Sequence, residues 1–418
     1  MNHHPQDFPS AAAGVDAQTA TGHRVDAPTV SARRAAHIDA LRALALLGVI
    51  VMNIGSMVMA VNGRATFAAA GPADIAAAAF DLIVFQGKAR SCFAFLFGAG
   101  FAILMLRSEA RGGSFAAFYA RRMLALLGFG VVNQIFLFWG DILVTYAILG
   151  LLLIFARHWT HDTLLRAGLA LVLLPPLAAS AFELVTGAPI PNLIQSSPPT
   201  EAAASLAAYT SPSYADAVAR NIAVGLREHG LATGHMLVYD LGVLGLFLLG
   251  AYAVRSGLLT GPQAHRRTLR RLAATALPLG LALSVVNSLP FLGIRSTGAA
   301  HAAVTAAYVG VPILAFGYLA AFALLFTRRP RPGRIHAFLA ATGRMTLTNY
   351  LVSGALGCWL FYGYGLAQLD RFNLAALSAL SIALFLALAT LSNLWLTRFR
   401  QGPAEWLSRV VSPPLQGA

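Results

Sequence analysis

The chain has 418 residues, of which 57% are apolar and only 11% charged, with a formal net charge of +14. Soluble globular domains carry roughly 25% charged residues, so a soluble enzyme, a disordered chain and a fibrous chain are all excluded. Lys88 is the only lysine, and the arginines sit in short clusters between apolar runs rather than along a basic stripe. That pattern reports orientation in a membrane, not a nucleic-acid partner.

Residues 1–37 form a leader rich in Ala, Pro, Thr, Asp and His, with no early apolar core and no A-x-A cleavage site before an apolar stretch. It reads as a disordered cytoplasmic tail and not as a secretory signal. Ten long apolar runs follow, at about 40–61, 82–106, 121–139, 141–157, 164–186, 233–254, 270–292, 302–326, 343–365 and 373–397. Each approaches the roughly 17–25 residues that cross a bilayer as a helix. The runs are continuous rather than alternating, which selects helices over a barrel. The expected fold is therefore all-α, a polytopic membrane protein with about ten transmembrane helices. Its expected divisions are a tail (1–37), two halves of the membrane domain (38–186 and 231–400), an outer loop (187–230) and a second cytoplasmic tail (401–418).

The loops orient these spans. Arg107, Arg111, Arg121 and Arg122 fill one loop, and Arg157 and Arg166 flank another. Arg255, Arg266, Arg267, Arg270 and Arg271 fill a third, and Arg328, Arg329, Arg331 and Arg334 a fourth. With ten crossings all fall on one side, together with Arg398, Arg400 and Arg409. The positive-inside rule then places both termini in the cytoplasm. The loop 187–230 opens with prolines and carries an expected surface helix near 214–228. Asp81, Lys88 and Arg90 interrupt the segment 74–90. Either a surface helix precedes a span starting near Arg90, or one long tilted helix buries Lys88.

Five segments carry a resemblance. HIDALRALALLGVIVMNI (37–54), FQGKARSCFAFLFGAGFAI (85–103), WGDILVTYAILGLLL (139–153), GRMTLTNYLVSGAL (343–356) and GPAEWLSRVV (402–411) occur in order along the chain. They resemble the YeiB-like proteins, catalogued as domain of unknown function 418, which implies a multi-pass protein of the bacterial inner membrane. That family is similar to the transmembrane acyltransferases of the acyltransferase-3 and heparan-glucosaminide types, which share an Asp-x-x-Arg opening, here Asp39 and Arg42. Acyltransferase-3 proteins place a histidine eleven residues after that arginine; this chain has Asn53 there. The heparan-glucosaminide type also has asparagine there and uses a histidine in the following outer loop. No histidine lies between His37 and His158, so neither catalytic histidine carries over.

Asp39 and Arg42 share a helix face and suit an anionic donor such as acyl-CoA, or else an N-cap beside a positive-inside arginine. Lys88 is costly inside a span and suggests a site, with Asp81 as partner; otherwise it snorkels to the outer interface. Asp141, after Gly140, reads as an N-cap or as a carboxylate orienting a base. His235, near Asp240 and with Tyr239 at i+4, is a natural general base, as is His301; either also fits an interfacial histidine with a backbone partner. Arg344, Thr348 and Asn349 open a span and either bind a donor head group or tie helices together. Glu405 is expected to pair with Arg409 at i+4.

His235, Asp141 and Lys88 are thus the candidate catalytic residues. Asp39, Arg42, Asn53, Arg344, Thr348 and Asn349 are the candidate donor-binding residues. No histidine pair has metal-ligand spacing, so no metal is expected. The expectation is an acyltransferase moving an acyl group from an acyl-CoA-type co-substrate to a glycan or lipid of the envelope. Its partners are the lipid bilayer and that substrate, with no bound cofactor and no nucleic acid. The competing class is a transporter or lipid flippase without covalent chemistry.

Overall fold

The computed structural model describes residues 30–68, 70–109, 115–188, 199–229, 237–294, 296–326 and 333–412. Every regular element among them is helical, as the continuous apolar runs require. In chain order they are α1 (Val30–Ala68), α2 (Pro72–Val84), α3 (Lys88–Glu109), α4 (Phe115–Val132), α5 (Leu143–Leu152), α6 (His161–Thr186), α7 (Pro199–Thr210), α8 (Tyr214–His229) and α9 (Leu237–Arg255). There follow α10 (Arg266–Ser288), α11 (Gly298–Ala306), α12 (Gly310–Phe326), α13 (Arg334–Arg344), α14 (Thr346–Phe361), α15 (Leu374–Arg398) and α16 (Pro403–Val411). The apolar runs read from the sequence fall on these helices, though 82–106 is divided between α2 and α3 and 302–326 between α11 and α12. Eight helical stretches are long and apolar enough to cross a bilayer: 36–59, 72–109, 115–137, 161–186, 238–255, 266–292, 298–326 and 374–398. The molecule is an all-α polytopic membrane protein.

Helices α5 and α14 are apolar but shorter, for a local reason in each case. At the end of α4 the chain widens into a π-turn, Asn133–Leu137, and folds back into the bundle before α5 begins. Gly130 abuts Leu143 and Val144, so the two strokes of this hairpin run side by side. α14 begins only after a break at Met345 that separates it from α13. Segment 74–90 combines features of both sequence readings. α2 is a separate helix, the chain turns at Gly87 (φ +76°), and Lys88 at the start of α3 is buried.

Small residues let the helices approach closely, which is the main source of packing energy where lipid is as apolar as the side chains. Gly98 and Gly250 bring α3 and α9 backbone to backbone, and Gly280, Gly310 and Gly317 do the same for α10 and α12. Gly343 of α13 lies on the backbone of Asp39. α6 continues through Pro175 and Pro176; its N-cap hydroxyl, Thr160, accepts from Thr163 N, and Gly187 (φ +69°) closes it.

The arginine-bearing connections are tied together at one end of the bundle. Arg255 donates to the Trp159 carbonyl at 2.7 Å, and Arg344 to the Arg400 carbonyl at 2.6 Å. The opposite end is covered by α7 and α8. Tyr209 stacks on Tyr362 at 4.3 Å, and Asn221 Nδ2 donates to the Ile135 carbonyl of the π-turn at 3.1 Å.

Candidate functional site

At the arginine-rich end, Arg42 Nη1 donates to Asp39 Oδ1 at 2.8 Å, one turn apart on α1. Arg344 also acts electrostatically on Asp39, and Arg122 of α4 lies within electrostatic reach of both Arg42 and Arg409. Arg42 and Arg344 thus act on one carboxylate, with Arg122 of α4 within reach of Arg42 and Arg409 of α16 within reach of Arg122. Asp39 and Arg42 read from the sequence are joined here by Arg344, while Arg122 was read as an orientation signal and Arg409 as that and as the partner of Glu405. Their positions 80 and 367 residues beyond Arg42 left nothing in the spacing to connect them.

Thr348 and Asn349 are committed elsewhere. Glu405 Oε1 accepts from the backbone N–H of Leu347 and Thr348, and the Thr348 hydroxyl donates to Glu405 Oε2 at 2.6 Å. Glu405 therefore caps the start of α14, whose first N–H groups lack helical partners. The expected pairing of Glu405 with Arg409 gives way to this cap. Asn349 exchanges hydrogen bonds with Ser392 of α15, binding two helices.

The bundle interior holds a second group. Asp141 is buried and accepts from Asn133 Nδ2 at 2.7 Å, Val144 N at 2.8 Å and the Tyr350 hydroxyl at 3.3 Å. The Tyr350 oxygen in turn accepts from Ile142 N at 3.2 Å. Asp141 thus takes the capping role read for it, bonding Val144 N at the start of α5, and it also holds Asn133 of the π-turn and Tyr350 of α14. The folded-back hairpin beside Gly130 carries it inside the bundle rather than leaving it at a turn on the surface. Asn53 on α1 is close to buried, and its Nδ2 has no hydrogen-bond partner among the described residues.

Lys88 is 1% exposed. The expected pairing with Asp81 is not formed: Lys88 Nζ donates to the Leu82 carbonyl at 2.9 Å, and Asp81 accepts from Ser378 of α15. The break at Gly87 takes Lys88 off the helical face that Asp81 occupies. Two residues on, the Arg90 guanidinium lies 4.0 Å from the Tyr239 ring centre and within electrostatic reach of Tyr308. Tyr239 is within electrostatic reach of Tyr350 as well, which links this group to Asp141.

His235 lies outside the described residues. His301 has a partner that the sequence did not suggest. Its Nδ1 is 3.1 Å from Glu183 Oε2, which also accepts from Thr305 Oγ1 at 2.8 Å. Glu183 is buried, while the His301 side chain is 28% exposed. A lone glutamate near the end of an apolar run gave no sign of a partner 118 residues away.

A bundle of apolar helices that buries charged and hydrogen-bonded groups defines a polytopic membrane protein with an interior polar site. Residues 253–412 match the family described as "Protein of unknown function (DUF418)". The chain is 31% identical over 397 residues to "Uncharacterized protein YxaH" of Bacillus subtilis (strain 168), spanning 91% of this chain and 95% of the relative. It is 29% identical over 384 residues to "Uncharacterized protein YeiB" of Escherichia coli (strain K12), spanning 89% and 94%. A third relative, the "Uncharacterized 39.9 kDa protein in amylase 3'region" of Bacillus acidopullulyticus, is 26% identical over 388 residues. The chain belongs to the DUF418 family, as the five ordered segments led us to expect. No solved structure matches it.

Proposed function

We propose that the protein is an acyltransferase of the bacterial inner membrane, with both termini in the cytoplasm, acting on a glycan or lipid of the envelope. The observation that carries this reading is the arginine cluster at one end of the bundle, in which Arg42 and Arg344 act on Asp39 and Arg122 lies within electrostatic reach of Arg42 and Arg409. Guanidinium forks suit the phosphates of an acyl-CoA-type donor. Two ordered acid–base arrangements support it further. Asp141 with Tyr350 lies inside the bundle, and His301 is oriented by Glu183 near the far end of α6. A carboxylate that fixes one imidazole nitrogen leaves the other to take a proton from an acceptor hydroxyl.

Two measurements test this. Acyl-CoA binding to the purified protein in nanodiscs is expected to be saturable and to weaken at least tenfold in Arg42→Ala and Arg344→Ala. Mass spectrometry of envelope lipids and glycans is expected to show a species that loses an acyl-sized mass on gene deletion. Wild type restores that mass, and Asp141→Asn or His235→Ala does not. Absence of acyl-CoA binding together with an unchanged envelope sinks the proposal.

One observation favours a carrier instead. Lys88 is a deeply buried cation whose described hydrogen bond goes to a backbone carbonyl, an arrangement suited to accompanying an anion through the membrane. Reconstituted vesicles that move an envelope precursor unchanged select this reading.

A further inference from the structure

We propose that the crevice beside Arg90 is a binding site for a single-chain amphiphile with an oxyanion head, a carboxylate or a phosphate monoester, with Arg90 as its counter-ion. The crevice lies between α3, α6, α9 and the start of α12, apart from the arginine-rich end invoked above. Arg90 and Ser91 form its α3 wall, Tyr239 lies with its ring centre 4.0 Å from the guanidinium, and Tyr308 also lines the crevice.

The first argument is electrostatic. A guanidinium held within a membrane bundle carries a desolvation cost of several kcal/mol unless compensated. Among the described residues Arg90 makes no ion pair with a carboxylate within 4.0 Å. Its compensation comes from the face of one tyrosine, the hydroxyl of another and the more distant charge of Asp240. One Asp240 oxygen is itself buried without a hydrogen-bond partner, so the two groups do not satisfy each other. Arginine offers five donors in a planar fork, and an oxyanion takes two of them at once.

The second argument is shape. The rest of the wall is apolar: Val172 and Pro176 from α6, Val243 and Leu246 from α9, and Val311 and Pro312 from α12. Pro176, inside α6, has no N–H for the Val172 carbonyl one turn earlier, whereas Pro312 stands in the first turn of α12, where no helical bond is lost. The crevice encloses only about 30 Å³, room for an oxyanion head beside Arg90, and its open, aliphatic mouth meets the first methylenes of a chain that continues along the helices.

The test uses the full chain in nanodiscs and a photoactivatable sixteen-carbon fatty acid. Saturable labelling is expected on peptides of α6, α9 or α12, with competition by palmitate and by lysophosphatidic acid but not by hexadecanol. The acid-against-alcohol comparison is made on wild type and so does not depend on any variant folding. Arg90→Gln is expected to weaken binding at least tenfold and Arg90→Lys less. Val243→Phe, which fills the crevice and leaves Arg90 in place, is expected to abolish labelling while the protein stays monodisperse. Equal competition by hexadecanol, undiminished labelling of Arg90→Gln, or labelling confined to other helices overturns the proposal. Competition by inorganic phosphate as strong as that by palmitate overturns the amphiphile, because the head alone then accounts for binding. Acyl-CoA binding that depends on Arg42 is unaffected by any of these outcomes, so the two proposals fail separately.

Discussion

Asp141 is held by donors from three elements, and each contact has a distinct consequence for substitution. Asp141→Ala removes the acceptor for Asn133, Val144 N and Tyr350 together, and a buried donor left unpaired costs about 1–3 kcal/mol. Thermal unfolding followed by tryptophan fluorescence in detergent is expected to show a clearly lowered Tm. Asp141→Asn retains one acceptor oxygen and is expected to fall between the two while losing envelope acylation. An alanine variant as stable as wild type excludes the network described here. At this scale the sequence was half legible. Asp141 stood out because an aspartate after glycine before an apolar run is a helix start. Its partner Tyr350 lies 209 residues away, and Glu183 was passed over because its histidine lies in another helix. Single-residue patterns announce local roles, but pairings across the bundle depend on how helices are set side by side.

Helix contacts make a sharper prediction. A Cβ at Gly98 falls on the Phe247 carbonyl, so Gly98→Val has to push α3 and α9 apart. Loss of the monodisperse peak in fluorescence size-exclusion is expected. Gly128→Val on α4, where nothing lies within 4 Å of the added atom, is expected to elute as wild type. The α7–α8 pair is sensitive to acid. Glu201 is bonded to Arg220 and Arg227, and the Arg220 hydrogen bond, ahead of its charge, holds the Glu201 carboxyl below its ordinary 4.5. A depressed carboxylate contributes stability that is complete above that ordinary value and is lost as pH falls through the lowered one. The protection factors of α7 amides, with intrinsic exchange divided out, are therefore expected to be flat from pH 7 to about 4.5 and to fall below it, with the step absent in Glu201→Gln. The long helices were legible from hydropathy, and α8 was expected near 214–228. α7 and α13 were not, because α7 is a short alanine-rich piece next to prolines and α13 is amphipathic and lies outside every apolar run. The division of α2 from α3 rests on Gly87 alone, whose positive φ a hydropathy window does not register.

For the molecule as a whole, the gathering of arginines at one end predicts the sidedness of the protein. Reporter fusions at residues 412 and 188 are expected to be active on opposite sides of the membrane, with 412 in the cytoplasm; equal activity on one side rules out the ten-span arrangement. The covering of the other end has a kinetic corollary. α7 and α8 lie over the π-turn and Tyr362, held by the stacked tyrosines and by Gly363 N donating to the Tyr209 carbonyl at 2.8 Å. Solutes approaching from that compartment meet a lid, whereas molecules already dissolved in the bilayer meet the sides of α6, α9 and α12 directly. For such molecules the governing variable is mole fraction in the plane of the membrane. Diluting such a molecule with inert lipid should slow its encounter with the protein even when the total amount in the tube is unchanged.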